Sequence, residues 1–390
     1  MNKVIFLSYD GILEPLGYSQ ILSYLVPLSK KNKIFIVSFE KENDLKNKKH
    51  YSKIKTLLKH NDINWQYVIY KKNFLKFIKI IFIFLYLIYI INFKKFDIIH
   101  SRSYISAFIS FLIKKLFKIK YVFDMRGFWI EERIEWKIWS KKSILCKFFK
   151  YFEKKIICES NSIVTLTSVA IPIIRNKYNL NNSNIIFESI PTCVNNKNKI
   201  FYSHKEYTSK IVLAHLGAIG TRYEFKKYLE LGKKIKSKRN VFFSIFNKGE
   251  HKYILNKIKQ YDINDSDYKL KYVMPYDISN SLTDVNLGVF FPIKGFYLNG
   301  YFPTKLGEFL SNGIPIITSR INRDVDSLII DNRIGLVIDD LNKFIYDDFN
   351  DKLIEALLTS ETAIRCKKIA ENYFDINTAV IKYNKIYNQI

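Results

Sequence analysis

Apolar runs of four to six residues recur roughly every 25 to 30 residues along the chain, separated by stretches with the three-to-four-residue spacing of helices. The runs in the first half are Val4 to Tyr9, Ile34 to Phe39, Trp65 to Tyr70, Asp97 to His100, Tyr121 to Asp124, Ser162 to Thr167 and Ile185 to Ile190. A polar, Asn/Lys-rich stretch from Asn195 to Ser209 interrupts the pattern. It restarts with Ile211 to Leu216, Val241 to Phe246, Tyr268 to Val273, Leu287 to Phe291, Ile314 to Thr318 and Ile334 to Ile338. Continuously apolar strands alternating with helices predict parallel sheets covered on both faces. Two such series predict an α/β protein of two Rossmann-like domains.

The stretch from Phe302 to Ile317 reads as a short helix between two turn signals. Pro303 suits the first helical turn, where its missing N–H costs nothing, and Gly313 suits the left-handed residue that ends a helix. Leu306, Phe309 and Leu310 make an apolar stripe, while Lys305 and Glu308, three apart, share another face. Free N–H groups and the positive end of the dipole at such a helix start bind phosphate oxygens. Lys305 adds a full charge there, and Glu308 can accept two hydrogen bonds from a vicinal diol such as a ribose. The pattern describes a nucleoside diphosphate site; an ordinary surface Lys/Glu pair shares the same spacing.

Pro303-Thr304-Lys305-Leu306, followed by Glu308 and Gly313-Ile314-Pro315-Ile316, resembles the donor-binding motif of the retaining glycosyltransferases of family 4, also called group 1, of bacterial polysaccharide assembly. The resemblance implies a GT-B fold, with the sheets of two Rossmann-like domains facing each other across a cleft and the final helix crossing back onto the first domain. The expected boundaries are 1–197 with about 374–390, and 205–373. By the same resemblance, Glu308 holds the ribose while Lys305 and the helix start at Pro303, Thr304 and Leu306 hold the diphosphate. Many members carry a second Glu eight residues earlier, on the donor sugar; here that position is Gly300.

Other loops fall at the carboxyl ends of predicted strands, where ligands bind in such sheets. Asp10-Gly11 to Gly17-Tyr18-Ser19-Gln20 follows the first strand and lacks the GxGxxG of a dinucleotide site, so no such cofactor is expected. It resembles the first loop of a subgroup of the same family and places Gly17 and Ser19 at the cleft, though a plain two-glycine turn would read alike. His100 ends the fourth strand, either as a proton shuttle or as a structural residue. Asp124-Met125-Arg126-Gly127-Phe128-Trp129 also resembles the subgroup, with Arg126 about where many members place an active-site His. Asp124 and Arg126 are expected to face the cleft, since unpaired burial is costly; a mutual ion pair is the alternative.

In the second half, Ala214 to Tyr223 runs from a strand through Gly217 and Gly220 toward a helix. Its backbone can approach a phosphate and Arg222 can bridge it; the resemblance makes this loop the basic partner of Lys305, so that Arg222 and Lys305 would stabilise a leaving diphosphate as a metal ion does elsewhere. A surface arginine is the alternative reading. Met274 and Tyr276 end a strand where the nucleobase would sit. Asp265-Ser266-Asp267 and Asp324-Val325-Asp326 match the letters of a metal-binding DxD, but that match is common by chance, and no metal or other cofactor is expected.

Composition adds partners. The net charge is +27, with 35 Lys/Arg against 14 Asp/Glu in residues 1–200 and 28 against 22 in residues 201–390. Such a field can draw nucleic acid or an anionic membrane, although a Lys-, Asn- and Ile-rich composition accounts for part of the excess. The first half's charge borders apolar helices rather than interleaving with aromatics, so the expected partner is the anionic inner membrane surface and not nucleic acid. Lys72 to Phe93 approaches the length of a span, but a span between two strands would split the sheet, so an interfacial or a buried helix is expected. Four scattered cysteines suggest neither disulfides nor zinc, and no export signal is evident at the start. The expectation is a cytoplasmic, membrane-peripheral enzyme. It would move a sugar from a UDP- or GDP-linked donor to a hydroxyl of a lipid-linked or growing glycan, with retention. A nucleotide-sugar 2-epimerase on the same fold and a non-catalytic membrane-binding scaffold are the alternatives.

Overall fold

The computed structural model describes residues 1–14, 17–70, 75–194, 210–220, 222–273 and 277–390, with the backbone alone at 75–77. Met274 and Tyr276 therefore lie outside the described residues, as does the linker around 195–209. The chain divides into two compact units: residues 1–193 with 299–301 and 376–390, and residues 194–298 with 302–375.

The first unit holds seven strands: β1 Lys3–Ser8, β2 Lys33–Glu40, β3 Asn64–Ile69, β4 Ile98–Arg102, β5 Lys120–Asp124, β6 Ser162–Thr165 and β7 Ile186–Ser189. The second holds six: β8 Lys210–Leu216, β9 Asn240–Phe246, β10 Tyr268–Lys271, β11 Leu287–Phe290, β12 Ile316–Ser319 and β13 Gly335–Ile338. Every apolar run of the sequence became a strand, with ends shifted by no more than two residues, as fraying ends allow. All ladders are parallel, in the orders β3-β2-β1-β4-β5-β6-β7 and β10-β9-β8-β11-β12-β13. Each order reverses at one place, beside β1/β4 and beside β8/β11. Ligands of open parallel sheets bind at the carboxyl ends of strands at such switch points.

The core of the first unit depends on the end of the chain. Ala379, Val380, Tyr383, Ile386 and Tyr387 of the helix Ile376–Gln389 are buried in the same cluster as Val4, Phe6, Leu25 and Ile36. The helix Leu75–Lys94 is apolar all round, and the structure resolves its two readings into two faces. Ile83, Leu87, Ile90 and Ile91 are buried, whereas Ile81, Phe82, Leu85, Tyr89 and Phe93 are each more than half exposed. Among the described residues, no helix is long and apolar enough to cross a membrane.

Candidate functional site

In the second unit the site begins with the helix Thr304–Ser311. Pro303 caps it rather than entering it: its ψ of 120° is extended, so the first helical residue is Thr304, and no side chain caps the turn. The far end closes as expected, with Gly313 at φ 70°. Gly313 N–H donates to Leu310 O at 2.9 Å and Ile314 N–H to Phe309 O at 3.1 Å, a Schellman closure. Leu306, Phe309 and Leu310 are fully buried.

Lys305 departs from a surface reading. It is 6% exposed, and its Nζ has no hydrogen-bond partner among the described residues. The ammonium lies 3.5 Å from the centroid of the Tyr223 ring and 5.5 Å from that of Phe290, at the β8/β11 switch point. Cation–π attraction offsets only part of the cost of removing it from water. Burial pushes its pKa down to about 7 against the pull of Glu308, with Arg222 adding to the depression. Glu308 is partly buried, and burial pushes its carboxyl up to about 7 against the pull of Lys305. Thr304, Lys305 and Glu308 thus stand together at one helix start, and Arg222 is close enough to act on Lys305 electrostatically.

The loop after β8 is held by two residues the sequence reading passed over. Asn247 donates through Nδ2 to Gly217 O at 3.0 Å and to Glu250 Oε2 at 2.9 Å, and Glu250 Oε2 accepts from Ile219 N–H at 2.8 Å. Gly217 and Gly220 have φ of 92° and 82°, conformations that L side chains rarely adopt, and nothing lies within 4 Å of a Cβ built on Gly217. The backbone there is exposed to whatever approaches it. Arg222 is solvent-exposed, and its carbonyl accepts from Ile293 N–H at 3.1 Å, tying the loop to the chain after β11. His215, at the end of β8, was also missed. Its two ring nitrogens lie 3.3 Å from Val289 O and Ala218 O, while burial and then Lys305 hold its pKa well below the ordinary value. A histidine one residue from a strand end and two before a glycine was the only signal in the sequence.

In each DxD string a carboxylate is engaged within the protein. Asp267 pairs with Lys236 at 2.6 Å, and Asp326 accepts from Ile321 N–H at 2.9 Å inside its own turn. Among the described residues, no group of three potential ligands is arranged for a metal.

In the first unit, Gly17 sits where a Cβ would lie 2.3 Å from Gly11 O, so close backbone approach demands glycine. Ser19 lies in a π-helical turn, Tyr18–Leu22, and its carbonyl accepts from Ser23 Oγ at 2.5 Å. The loop is pinned by buried Glu40, which accepts from Ile12 and Leu13 N–H at 2.8 and 3.1 Å. Asp124 and Arg126 correct the expectation of open, ligand-facing charges: Asp124 is 1% exposed and the Arg126 side chain 12%. Their mutual distance of 4.0 Å is a loose contact rather than a hydrogen bond. Tyr383 and Tyr387 of the final helix account for the burial, donating to Asp124 Oδ2 at 3.2 Å and meeting His100 Nδ1 at 2.6 Å. Gly300 lies with this unit. A Cβ on it would stand 2.9 Å from Phe128 Cδ2, so a glutamate has no room there without displacing a buried ring.

The comparisons agree with this architecture. Residues 196–373 match the family described as glycosyl transferases group 1. No curated protein matches the sequence. Among solved structures, the chain is similar to sucrose-phosphate synthase from Thermosynechococcus elongatus (TM-score 0.72, 11% identity, 100% of this chain and 99% of that one). It is similar to Anabaena HepE in complex with UDP and glucose (TM-score 0.68, 11% identity, all of both chains). It is also similar to the lipopolysaccharide outer core galactosyltransferase WaaB (TM-score 0.63, 13% identity, all of both chains). The fold is GT-B, and the match to glycosyl transferases group 1 falls on residues 196–373, within the part of the chain that forms most of the second unit. The protein is an enzyme of the glycosyltransferase class.

Proposed function

We propose that the protein transfers a sugar from a nucleoside diphosphate sugar, UDP- or GDP-linked, to a hydroxyl of a lipid-linked or growing cell-surface glycan, with retention and without a metal. The observation that carries this reading is Lys305, a buried ammonium with an unpartnered Nζ in the first turn of a helix. A buried charge without a partner is destabilising by several kcal/mol, roughly; a diphosphate would supply the missing anion. The uncapped first turn adds N–H groups and the helix dipole. Lys305 and Arg222 would then neutralise the departing diphosphate as the glycosidic bond breaks, doing with two cations what a divalent ion does elsewhere. Glu308 would orient the ribose, Thr304, Pro303 and Leu306 would shape the helix start, and Gly217 would let backbone reach the phosphates.

A cytoplasmic enzyme peripheral to the inner membrane fits the surface of the first unit. Besides the outer face of Leu75–Lys94, the helix Ile144–Cys158 exposes Ile144, Leu145, Phe148 and Tyr151 beside exposed Lys147, Lys154 and Lys155. Its one internal acid, Glu153, is buried. Apolar side chains bordered by lysines suit an interface of anionic lipid.

The test is calorimetric titration with UDP and with GDP, with and without EDTA, on the wild type and on Glu308→Ala. One nucleotide should bind in the presence of EDTA, and the substitution should weaken it roughly 10- to 100-fold, the value of hydrogen bonds to a charged group. Binding of neither nucleotide would overturn the assignment of a UDP- or GDP-linked donor to this site. Release of free sugar epimers without any acceptor would favour the epimerase.

A further inference from the structure

The first sheet carries its own unsatisfied charge at its own switch point. Arg102 ends β4, Asp124 ends β5, and Arg126 follows two residues later at φ 57°, a left-handed backbone that a non-glycine residue holds at a cost. Around the single carboxylate of Asp124 stand Arg102 Nη1 at 3.7 Å, His100 Nε2 at 3.9 Å and Arg126 Nη1 at 4.0 Å. Each distance is too long for a hydrogen bond. Among the described residues, the hydrogen bond that Asp124 accepts comes from the neutral Tyr383 hydroxyl. Arg126 spends one donor on Gln20 Oε1 at 3.3 Å, in the π-helical turn.

What remains is a deficit. Arg102 Nε, Arg126 Nη1 and His100 Nε2, three donors or potential donors, and one acceptor, Asp124 Oδ1, are buried with no hydrogen-bond partner among the described residues. Two guanidinium groups face one carboxylate, and guanidinium stays protonated under all ordinary conditions. Asp10, the other acid that attracts Arg102, is solvent-exposed. A small cavity, lined by Ile21, Leu25 and Leu28 on one side and by Gln20, Arg102 and Asp124 on the other, adjoins the cluster. Replacing the cations by apolar residues of similar shape would ordinarily be neutral or stabilising. A buried pair of guanidinium groups with donors unspent is suited to an incoming anion.

We propose that Arg102 and Arg126 form an anion-binding subsite at the switch point of the first sheet, which takes the acidic group, carboxylate or phosphate, of a sugar substrate. That the ligand is a sugar rests on the glycosyltransferase reading; the anion site itself does not. Arg126 and Arg102 bind the acid oxygens, Gln20 fixes the plane of the Arg126 guanidinium, and Asp124 holds both arginines in place without satisfying them. The protein would thereby select charged over neutral sugars, because a neutral hydroxyl leaves the excess charge uncompensated.

The experiment is a thermal-melt titration of the full chain in a Lys305→Gln background, which silences the anion end of the second unit. Ligands are D-glucuronate, inorganic phosphate, glucose, and chloride at matched ionic strength. Glucuronate or phosphate should raise the melting temperature saturably, glucose not at all, and chloride only in proportion to its concentration. Saturation by glucuronate alone marks an acidic sugar, and by phosphate alone a phosphorylated one. Arg126→Gln and Arg102→Gln should each weaken the saturable binding at least about tenfold, as loss of a charge-assisted bidentate contact does. If either variant shows no cooperative melt, Arg126→Lys is read instead, and it too should weaken binding because an ammonium lacks the planar fork. The proposal falls if neither anion saturates, if chloride matches them, or if affinity is unchanged in the folded variants. UDP binding by the chain with Lys305 intact reports separately on the second unit.

Discussion

Lys305 and Glu308 make opposite contributions to the pH dependence of stability. The Lys305 pKa in the folded state is lowered from 10.5 to about 7, so between those values the unfolded chain binds more protons and stability rises with pH. The Glu308 pKa is raised from 4.5 to about 7, so over that window the folded chain binds more protons and stability falls as pH rises. Together they place a local minimum in the melting temperature of the ligand-free protein near neutral pH. Glu308→Gln should remove the acid-side limb, leaving the variant roughly 1 to 2 kcal/mol more stable than the wild type at pH 7, as measured by denaturant unfolding at pH 5 and pH 7. Lys305→Met should likewise stabilise the ligand-free protein, by roughly 1 to 3 kcal/mol, while losing nucleotide affinity in calorimetry. A more stable protein that no longer binds is the signature of a charge kept for function. That Lys305 and Glu308 stand a turn apart on one helix was legible in the sequence, because spacing and residue type are local. His215 and Glu250 were not, because what defines them is which carbonyl or amide they meet across the fold.

Elements show where local sequence sufficed. Gly313 was readable as the residue ending its helix because only glycine takes φ 70° without a Cβ penalty. Gly313→Ala should cost about 1 kcal/mol in chemical denaturation. Gly300 teaches the opposite: its spacing from Glu308 invited comparison with a sugar-binding glutamate, yet its surroundings decide what fits. Gly300→Glu should not install a sugar contact. It should destabilise the protein by roughly 1 to 3 kcal/mol through overpacking on Phe128, with no gain in donor affinity when both are measured. The helix Leu75–Lys94 shows a further limit, since apolar residues on every face erase the periodicity that tells buried from exposed.

For the whole molecule, the final helix is the most exposed to test. Its buried face completes the core of the first unit, and its tyrosines cover Asp124 and His100. A chain ending at residue 375 should lose the cooperative melt of the first unit and become protease-sensitive within residues 1–193, as followed by limited proteolysis with mass spectrometry. Charge placement is testable at the same scale. Phe148→Glu combined with Phe82→Glu should lower binding to vesicles of phosphatidylglycerol by at least about tenfold, given the free energy of two buried aromatic side chains, with the melting temperature little changed because both positions are exposed.

By itself the sequence determined the thirteen strands of the described residues, their division into two series, their parallel pairing and the close of one helix at Gly313. Each of these is written in short-range patterns: apolar runs, and glycine and proline punctuation. The tertiary structure alone decided that Lys305 is buried beneath Tyr223 rather than solvated and that Gly300 abuts Phe128. It also decided that Asp124 and Arg126 lie under the last helix beside Arg102. Those facts join residues up to 259 positions apart, and burial, unlike periodicity, is a property that no short window of sequence contains.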